Sequence, residues 1–281
     1  MSGNQFPSVV SSLRNDLVGS FCSLHTPKGR KQHRAFLIEG AHLLQEALLA
    51  GITPSAALFR EDALLKSENG VIYQSLIDLG VHVASATAEV LAKISDTQTP
   101  QGIAAMVPLN AIDPDRARAS RPTASRPLSL ILDEIRDPGN MGAILRSALA
   151  ADTEAIYLTP GCADIFAPKV VRSASGAIFK LPMFIRRSWA DLSRTFANHR
   201  RFYTEAGAET LYYHEDLTRD CVFVIGNEAH GPSAAARDFA DAAVAIPMAN
   251  NVESLNAAVA ASVIMFECQR QVMALSAQPE L

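Results

Sequence analysis

Short runs of apolar, β-forming residues alternate with stretches of helical spacing along the first third of the chain. The runs cover residues 35–38, 56–59, 81–84 and 102–107. Between the first two runs, the apolar residues from Leu43 to Leu48 recur at helical spacing, and Gly51 follows as a stop. This alternation predicts a small α/β domain.

The same alternation returns in the second half of the chain. Strand-like runs cover residues 128–132, 155–158, 201–203, 221–225 and 243–246, with helical stretches between most of them. One such stretch carries Met141, Ile144 and Leu145 on one face, and another carries Trp189 and Phe196. This βαβ alternation predicts a mostly parallel sheet with helices on both sides, which binds ligands at the carboxyl ends of its strands.

The segment between these regions, residues 108–127, is rich in Pro, Ala, Arg, Ser and Asp and has no apolar periodicity. That composition is typical of a linker. A chain of 281 residues is long enough for two domains. The sequence therefore predicts an N-terminal domain over residues 1–107, a linker over 108–127 and a second domain over 128–281.

Composition narrows the class of protein further. The hydrophobic content of 48% is typical of a globular protein, and no apolar stretch is long enough to span a bilayer. The N-terminus has no pattern of a secretory signal, so the predicted location is the cytoplasm. The cysteines form no CxxC pair, which argues against a zinc site or disulfide framework, and we expect no metal. They are Cys22, Cys162, Cys221 and Cys268.

The net charge of −4 does not by itself favour a nucleic-acid partner, but the basic residues are clustered. Each of two clusters has two open interpretations, a surface that neutralises phosphates or an ordinary solvated face. The first cluster contains Lys28, Arg30, Lys31, His33 and Arg34, and the second contains Arg186, Arg187, Arg194, Arg200 and Arg201.

The first of three polar motifs, DPGNMGAILRSA, begins at Asp137 and follows a predicted strand. Pro138 and Gly139 form a turn, and Asn140 is predicted to cap the helix that follows. A capped turn does not explain Arg146, a permanent charge in a helix of apolar and small residues. Such an arginine either reaches solvent or holds an anion.

Two further motifs also follow predicted strands. In VIGNEAHGPS, which begins at Val224, Gly226 permits close approach of a flat ligand, whereas Glu228 alone suggests only a solvated loop acid. In IPMANNVESLNAAVAAS, which begins at Ile246, Ser254 is predicted to cap an alanine-rich helix, and Asn256 in its first turn needs a specific partner. The small residues of that helix suit a dimer interface or a tightly folded cofactor loop.

In this order and at these strand ends, the three motifs resemble the signature motifs of the SpoU (TrmH-like) family of SPOUT methyltransferases. The resemblance covers the chain from residue 128 onward, including PKVVRSASGAIFKLP. The segments FLIEGAHLLQEAL and TPQGIAAMV resemble the small α/β RNA-binding domain, related to ribosomal proteins, that many members carry. The resemblance implies a deep trefoil knot, a homodimer with a shared active site, and methylation of a ribose 2′-hydroxyl, with ribosomal RNA as the expected substrate.

The resemblance also implies roles for individual residues. S-adenosylmethionine is expected as methyl donor, bound by Thr204, Gly226, Ile246 and Leu255. The reacting ribose is expected to be surrounded by Asn140, Arg146, Glu228, Ser254 and Asn256. RNA contacts are expected from Lys28, Arg30, Lys31 and Arg34. Arg146 is open to two roles, as the base or as a phosphate contact that leaves the proton to water, because a guanidinium is a poor proton acceptor.

Three alternatives remain. In one of them, the substrate is transfer RNA. Many transfer-RNA members lack the extra N-terminal domain, which favours ribosomal RNA here, but this argument is an analogy at the level of the fold. In another, the chain is a non-catalytic RNA-binding factor for ribosome assembly, which would not require the complete set of motif residues. A nucleotide-binding oxidoreductase is disfavoured because no GxGxxG turn follows an early strand.

Overall fold

The computed structural model of the chain describes residues 9–64, 67–97, 99–121 and 127–276. These residues form two compact units. The first consists of the described residues up to Ile112 together with Phe166–Phe179, and the second of Asp113–Ile165 and the described residues from Lys180 onward.

The first unit contains a five-stranded mixed sheet. Its strands are β1 (Val9–Val10), β2 (Ala35–Glu39), β3 (Ala56–Arg60), β4 (His82–Ala86) and β5 (Ile103–Pro108). In the order β1-β4-β3-β5-β2, the first three strands run parallel, while β5 is antiparallel to β3 and β2. The four predicted strands are confirmed with small shifts of their ends, and the predicted α/β character of this part is confirmed.

The second unit contains a six-stranded sheet in which every neighbouring pair is parallel. Its strands are β6 (Leu128–Leu132), β7 (Ala155–Leu158), β8 (Met183–Phe184), β9 (Arg200–Thr204), β10 (Cys221–Ile225) and β11 (Ala242–Val244). The order is β11-β9-β10-β6-β7-β8, so β10 and β6 are central and wholly buried. The predicted parallel sheet is confirmed. The last strand ends at Val244 rather than at Ile246, because Ala245 instead forms backbone hydrogen bonds with Thr210 and Tyr212.

Helices connect and cover the strands of both sheets. They are α1 (Asp16–Ser23), α2 (Pro27–His33), α3 (Ala41–Leu49), α4 (Glu61–Leu64), α5 (Ser67–Asp78), α6 (Ala88–Ile94), α7 (Pro114–Ala119), α8 (Pro138–Ala150), α9 (Pro168–Ala174), α10 (Ala177–Lys180), α11 (Trp189–Thr195), α12 (Ala234–Phe239) and α13 (Ala257–Ser276). None of the helices in the described part of the chain is long and apolar enough to cross a membrane.

Arg30 lies inside the first unit rather than on its surface. Its side chain is 3% exposed, and Nη1 donates a 2.7 Å hydrogen bond to the carbonyl oxygen of Leu24, at the end of α1. Burial of a charged side chain costs much free energy unless polar groups form hydrogen bonds with it. The predicted RNA contact at Arg30 is therefore wrong. Lys28, Lys31 and Arg34 are exposed.

The segment between the two predicted domains is partly structured. A 3₁₀ turn covers Leu109–Ala111, and Asp113 then caps α7 by accepting hydrogen bonds from backbone N–H groups. After α7, the guanidinium of Arg121 donates hydrogen bonds to the carbonyl oxygens of Thr153 and Glu154. Residues 122–126 lie outside the described part. Short-range capping produces structure here that apolar periodicity does not reveal.

The segment Phe166–Phe179 belongs to the first unit, although the strands on either side of it, β7 and β8, belong to the second. The ring of Phe166 packs on Phe36 in β2 at 5.1 Å between centroids, and Phe179 lies 6.5 Å from the same ring. Arg172 in α9 pairs with Glu39 and Asp96. Aromatic packing and two ion pairs therefore join this segment to the sheet of the first unit.

The free cysteines have environments that disfavour thiolate chemistry. Cys221 and Cys268 are buried, whereas Cys22 and Cys162 are partly buried. Burial raises the pKa of all four thiols, and it raises that of Cys268 to about 12. Because only a thiolate is a good nucleophile, these side chains stay protonated and unreactive at neutral pH.

Candidate active site

A cavity of about 370 Å³ lies at the carboxyl end of the parallel sheet of the second unit. Its walls come from the ends of β9 and β10, the loop after β11 and the segment that precedes α13. The four residues predicted to contact a cofactor all line this cavity. They are Thr204, Gly226, Ile246 and Leu255.

Gly226 is required by the backbone of its own loop. A Cβ atom at this position would lie 2.2 Å from the backbone nitrogen of Pro232 and 2.4 Å from the carbonyl carbon of Gly231. The explanation that glycine makes room for a flat ligand is therefore incomplete, since the returning loop already occupies the place of a side chain. Gly226 holds this wall of the cavity by permitting backbone to pack on backbone.

Gly226→Ala is expected to destabilise the second unit by about 1–3 kcal/mol and to weaken cofactor binding, because the loop must move to admit a methyl group. Thermal unfolding and calorimetric titration with S-adenosylmethionine measure the two effects. Gly19→Ala, in α1 of the first unit, is the control, since a Cβ there has nothing within 4 Å and the backbone is helical. Unchanged binding in Gly226→Ala would contradict the assigned role of this packing.

The loop after β10 is fixed by two side chains that sequence analysis did not assign. Asn227 donates from Nδ2 to the carbonyl oxygen of Glu134 at 2.8 Å, and its Oδ1 accepts from the backbone of Ala229 at 2.9 Å. Asp133 is 2% exposed and accepts a 2.8 Å hydrogen bond from the backbone N–H of Ser233. An acid placed directly after a wholly buried strand is the signal in the sequence that indicates such a buried anchor.

Backbone donors remain available at this cavity. The N–H groups of Gly226, Ile246 and Leu255 have no hydrogen-bond partner within the part of the chain that the structure describes. Gly226 is buried, and an unpaired buried N–H is costly. The cavity therefore offers a ligand backbone groups on three separate loops.

Three of the predicted ribose-binding residues are joined by hydrogen bonds beside this cavity. Nδ2 of Asn140 donates to Oε1 of Glu228 at 2.9 Å, and Nδ2 of Asn256 donates to Oδ1 of Asn140 at 2.8 Å. Residues distant in sequence thus form one polar cluster, which we call the Asn140 cluster. Glu228 also accepts long hydrogen bonds from the backbone N–H groups of Arg136 and Asp137 at the start of α8.

The helix starts at this site differ from the predicted ones. Asp137, rather than Asn140, caps α8, because its Oδ1 accepts from the backbone N–H of Asn140 at 2.8 Å. Asn256, rather than Ser254, caps α13, because its Oδ1 accepts from the N–H groups of Ala258 and Val259. Capping by Asp137 leaves the Asn140 amide free to join Glu228 and Asn256. Ser254 lines the cavity instead.

Arg146 lies apart from the residues predicted to act with it. It is exposed on α8 and is not part of the cavity wall. Six residues along an α-helix correspond to about 9 Å of rise and a direction about 120° away from that of Asn140. No hydrogen bond or ion pair joins its side chain to another residue that the structure describes. Within a single chain, the structure does not bring Arg146 together with the Asn140 cluster.

Comparison with known proteins identifies the class to which this fold and site belong. Residues 127–266 match the model of the SpoU rRNA Methylase family, and residues 15–105 match the MRM3-like substrate binding domain. An uncharacterized tRNA/rRNA methyltransferase of Synechocystis, slr1673, is 36% identical over 95% of this chain and 95% of its own length. The chain belongs to the SpoU family of RNA methyltransferases.

Two further relatives have more specific descriptions. The 23S rRNA (guanosine(2553)-2′-O)-methyltransferase RlmP of Bacillus subtilis is 30% identical over 92% of this chain and 97% of its own length. The crystal structure of an AdoMet-bound rRNA methyltransferase from Sinorhizobium meliloti aligns with a TM-score of 0.82 and 25% identity, covering 94% of this chain and 98% of that one. The predicted family and the predicted α/β fold with an N-terminal binding domain are confirmed.

Proposed function

We propose that this chain transfers a methyl group from S-adenosylmethionine to a ribose 2′-hydroxyl of ribosomal RNA. The observation that carries the proposal is the Asn140 cluster beside a cavity lined by Thr204, Gly226, Ile246 and Leu255. The activity of RlmP, a 2′-O-methylation of a guanosine in 23S rRNA, supports the substrate, and the bound AdoMet of the Sinorhizobium meliloti structure supports the donor.

The cavity fits this methyl donor. Its volume of about 370 Å³ lies within the range of roughly 300–1,000 Å³ that small-molecule sites have. The unpartnered N–H groups of Gly226, Ile246 and Leu255 suit the acceptor atoms of an adenosyl group and of a carboxylate. When bound, the donor supplies a methyl carbon activated by an adjacent positive sulfur.

The Asn140 cluster and Ser254 orient the ribose toward that carbon. In the transfer, the sugar oxygen forms a bond to the methyl carbon, the bond from this carbon to sulfur breaks, and the hydroxyl proton leaves to solvent. Alignment of the two reactants contributes about 7–11 kcal/mol to lowering the barrier. Glu228 holds Asn140, and Asn140 holds Asn256, so their hydrogen bonds fix the side chains that meet the sugar.

Arg146 binds the phosphate next to the target ribose in this proposal. A guanidinium is a poor proton acceptor, and that of Arg146 is exposed and forms no ion pair with another described residue, so it is available to an anion. A planar cation with five donors matches a phosphate group well. The charge also stabilises the alkoxide that develops on the sugar oxygen.

A homodimer belongs to the same proposal. On α13, Val259, Phe266 and Met273 are exposed apolar residues that recur every seven positions and so lie on one helix face. Exposed apolar stripes of this kind commonly mark interfaces. A second copy covering this face would allow Arg146 of one chain to reach the cavity of the other. The trefoil knot and a cytoplasmic location are also part of the proposal.

Phe266→Glu is expected to convert the protein to monomers, because burial of a carboxylate costs several kcal/mol. A symmetric interface would bury two of these carboxylates, one from each chain. Sedimentation equilibrium measures the mass, and methyl transfer should fall with it. Leu49→Glu introduces the same charge at an exposed leucine of the first unit and should remain a dimer. A dimeric Phe266→Glu protein would contradict this interface.

The first unit is proposed to hold the RNA through Lys28, Lys31 and Arg34, which are exposed on or next to α2. Lys28→Glu combined with Lys31→Glu should raise the KM for RNA roughly tenfold or more at low salt with little change in cofactor affinity, since phosphate contacts are electrostatic. Steady-state kinetics over a range of salt concentrations measures this effect. Gln32→Glu, at an exposed position of the same helix, is the control for local charge. Equal effects from both would contradict a specific role for the lysines.

The function is tested with labelled S-adenosylmethionine and unmodified transcripts of large-subunit ribosomal RNA and of transfer RNA. Methylation of ribosomal RNA at a position that resists alkaline cleavage is the expected result, because a methylated 2′-oxygen cannot attack the neighbouring phosphate. Methylation of transfer RNA alone would replace the proposed substrate. Absence of cofactor binding by calorimetry would favour the non-catalytic assembly factor.

A further inference from the structure

The structure divides the second basic cluster of the sequence into two groups. Three of its arginines pair with acids: Arg194 with Asp191, Arg200 with Glu215 and Arg201 with Asp241. The other two, Arg186 and Arg187, are exposed and have no ion pair within the part of the chain that the structure describes. Because paired arginines contribute little net positive potential, the unbalanced charge of this cluster lies mainly at Arg186 and Arg187, although Arg187 is near enough to Asp191 to help lower the pKa of that carboxyl.

These two arginines lie at the same edge of the sheet as the Asn140 cluster. The backbone N–H of Arg187 donates to the carbonyl oxygen of Leu158 at the end of β7. Thr159, the next residue, donates its backbone N–H to Leu132 and accepts a hydrogen bond at Oγ1 from the backbone of Glu134, just before α8. Hydrogen bonds thus connect the ends of β8, β7 and β6, which span two strand spacings or about 10 Å.

Arg186 and Arg187 are both exposed, and they differ in their backbone conformation and ring contacts. Arg186 has a φ of +54°, in the left-handed region that costs a non-glycine residue about 1–2 kcal/mol. The guanidinium of Arg187 lies 5.3 Å from the ring centroid of Phe184, and that of Arg118 lies 5.5 Å from the same centroid. Two cations around one ring create a positive region, and only Arg118 of the two forms an ion pair among the described residues, with Glu154. Backbone strain at an exposed residue is often retained for function.

We propose that Arg186 and Arg187 bind backbone phosphates of the RNA strand that runs from the target nucleotide across the ends of β7 and β8. The inference rests on the proposed function, since it extends the RNA surface of the same site. Arginine suits this contact because its planar donors match phosphate oxygens. Contacts of this kind hold the strand in register without reading its sequence.

The test measures the affinity for an unmodified transcript of large-subunit ribosomal RNA by filter binding at several KCl concentrations. Loss of one phosphate contact on a single strand makes the negative slope of log affinity against log salt shallower by about 0.7. This corresponds to about a fivefold loss of affinity at 0.1 M salt. We expect this change for Arg186→Ala, and twice this change in slope for Arg186→Ala combined with Arg187→Ala. Arg186→Lys keeps the charge and should keep the slope. Arg201→Ala, from the paired group, is the matched control, because its partner Asp241 does not interact with Arg186 or Arg187.

A double variant with the slope of the unaltered protein would overturn the inference, as would an equal change in Arg201→Ala. Thermal unfolding and calorimetric binding of S-adenosylmethionine check that the variants keep the fold and the donor site. Because the contact is independent of sequence, its result is separate from that of the methylation assay. If the unaltered protein methylates no ribosomal RNA but the slopes change as expected, the proposed function fails and the phosphate site stands.

Discussion

Asn140→Ala is expected to lower the turnover of methyl transfer by about 10²–10³-fold while leaving S-adenosylmethionine affinity within about twofold. The amide of Asn140 is the only link in the described structure between Glu228 and Asn256, and its loss frees both side chains. A displacement of about 1 Å in a reactive complex costs about 10²-fold in rate, and loss of one oriented donor costs about 10²–10³-fold. The cavity residues proposed to bind the donor are not altered.

Single-turnover kinetics with saturating RNA and calorimetric titration with the donor measure the two quantities separately. Asn198→Ala is the matched control, because Asn198 is exposed in a turn of the same unit, away from the cavity. Asn140→Asp provides a second variant, since a carboxylate there faces Glu228 and should be as inactive although its size is unchanged. Turnover within threefold of the unaltered protein in both variants would remove the Asn140 cluster from the reaction.

Arg146→Ala is the second change with a large expected effect, a loss of about 10²-fold or more in turnover with unchanged donor affinity. In the proposed role of Arg146, the substitution removes both the cation beside the developing alkoxide and the phosphate contact. Arg146→Lys should recover part of the rate, because a lysine keeps the charge but not the paired donors. Undiminished turnover in Arg146→Ala would exclude this residue from the mechanism.

Mixing two inactive variants tests whether Arg146 acts across a dimer interface. In hybrids of Arg146→Ala and Asn140→Ala chains, one of the two sites receives an unaltered Arg146 from one chain and an unaltered Asn140 from the other. Random pairing therefore restores about a quarter of all sites. If Arg146 instead served the cavity of its own chain, every site of every hybrid would lack one residue. No recovery after verified exchange of chains would contradict the shared site.

Strands of the second unit were predictable because burial on both faces leaves an unmistakable signal. The bounds of β6, β7 and β10 match the predicted strands to the residue, since each is a short and almost wholly apolar run that is followed by a polar residue or glycine. β11 was less predictable, because Ala245 and Ile246 continue the apolar run after the chain has left the sheet. Its end depends on hydrogen bonds from the segment around Leu211, which is remote in sequence.

Which residues lie around the cavity was largely predictable, with Arg146 as the exception, and the local geometry was less so. The resemblance indicated which residues gather around the cavity, but the choice of helix caps depends on small differences among good capping residues. Asp137 and Asn140 are both suitable caps, as are Ser254 and Asn256, and tertiary contacts with Glu228 decide between them. Arg30 shows the converse limit, since a basic cluster does not reveal which of its members is turned inward.

The segment Phe166–Phe179 gives the chain an unusual connectivity. Because it packs with Phe36 of the first unit, the polypeptide passes between the two units three times, near residues 112, 165 and 179. A protease that cuts near residues 122–126 would therefore not release two separate fragments, since the downstream piece still carries part of the first unit. Genetic truncation at the same place would strand Phe166 and Phe179 in water, so point substitutions are the better way to separate RNA binding from catalysis.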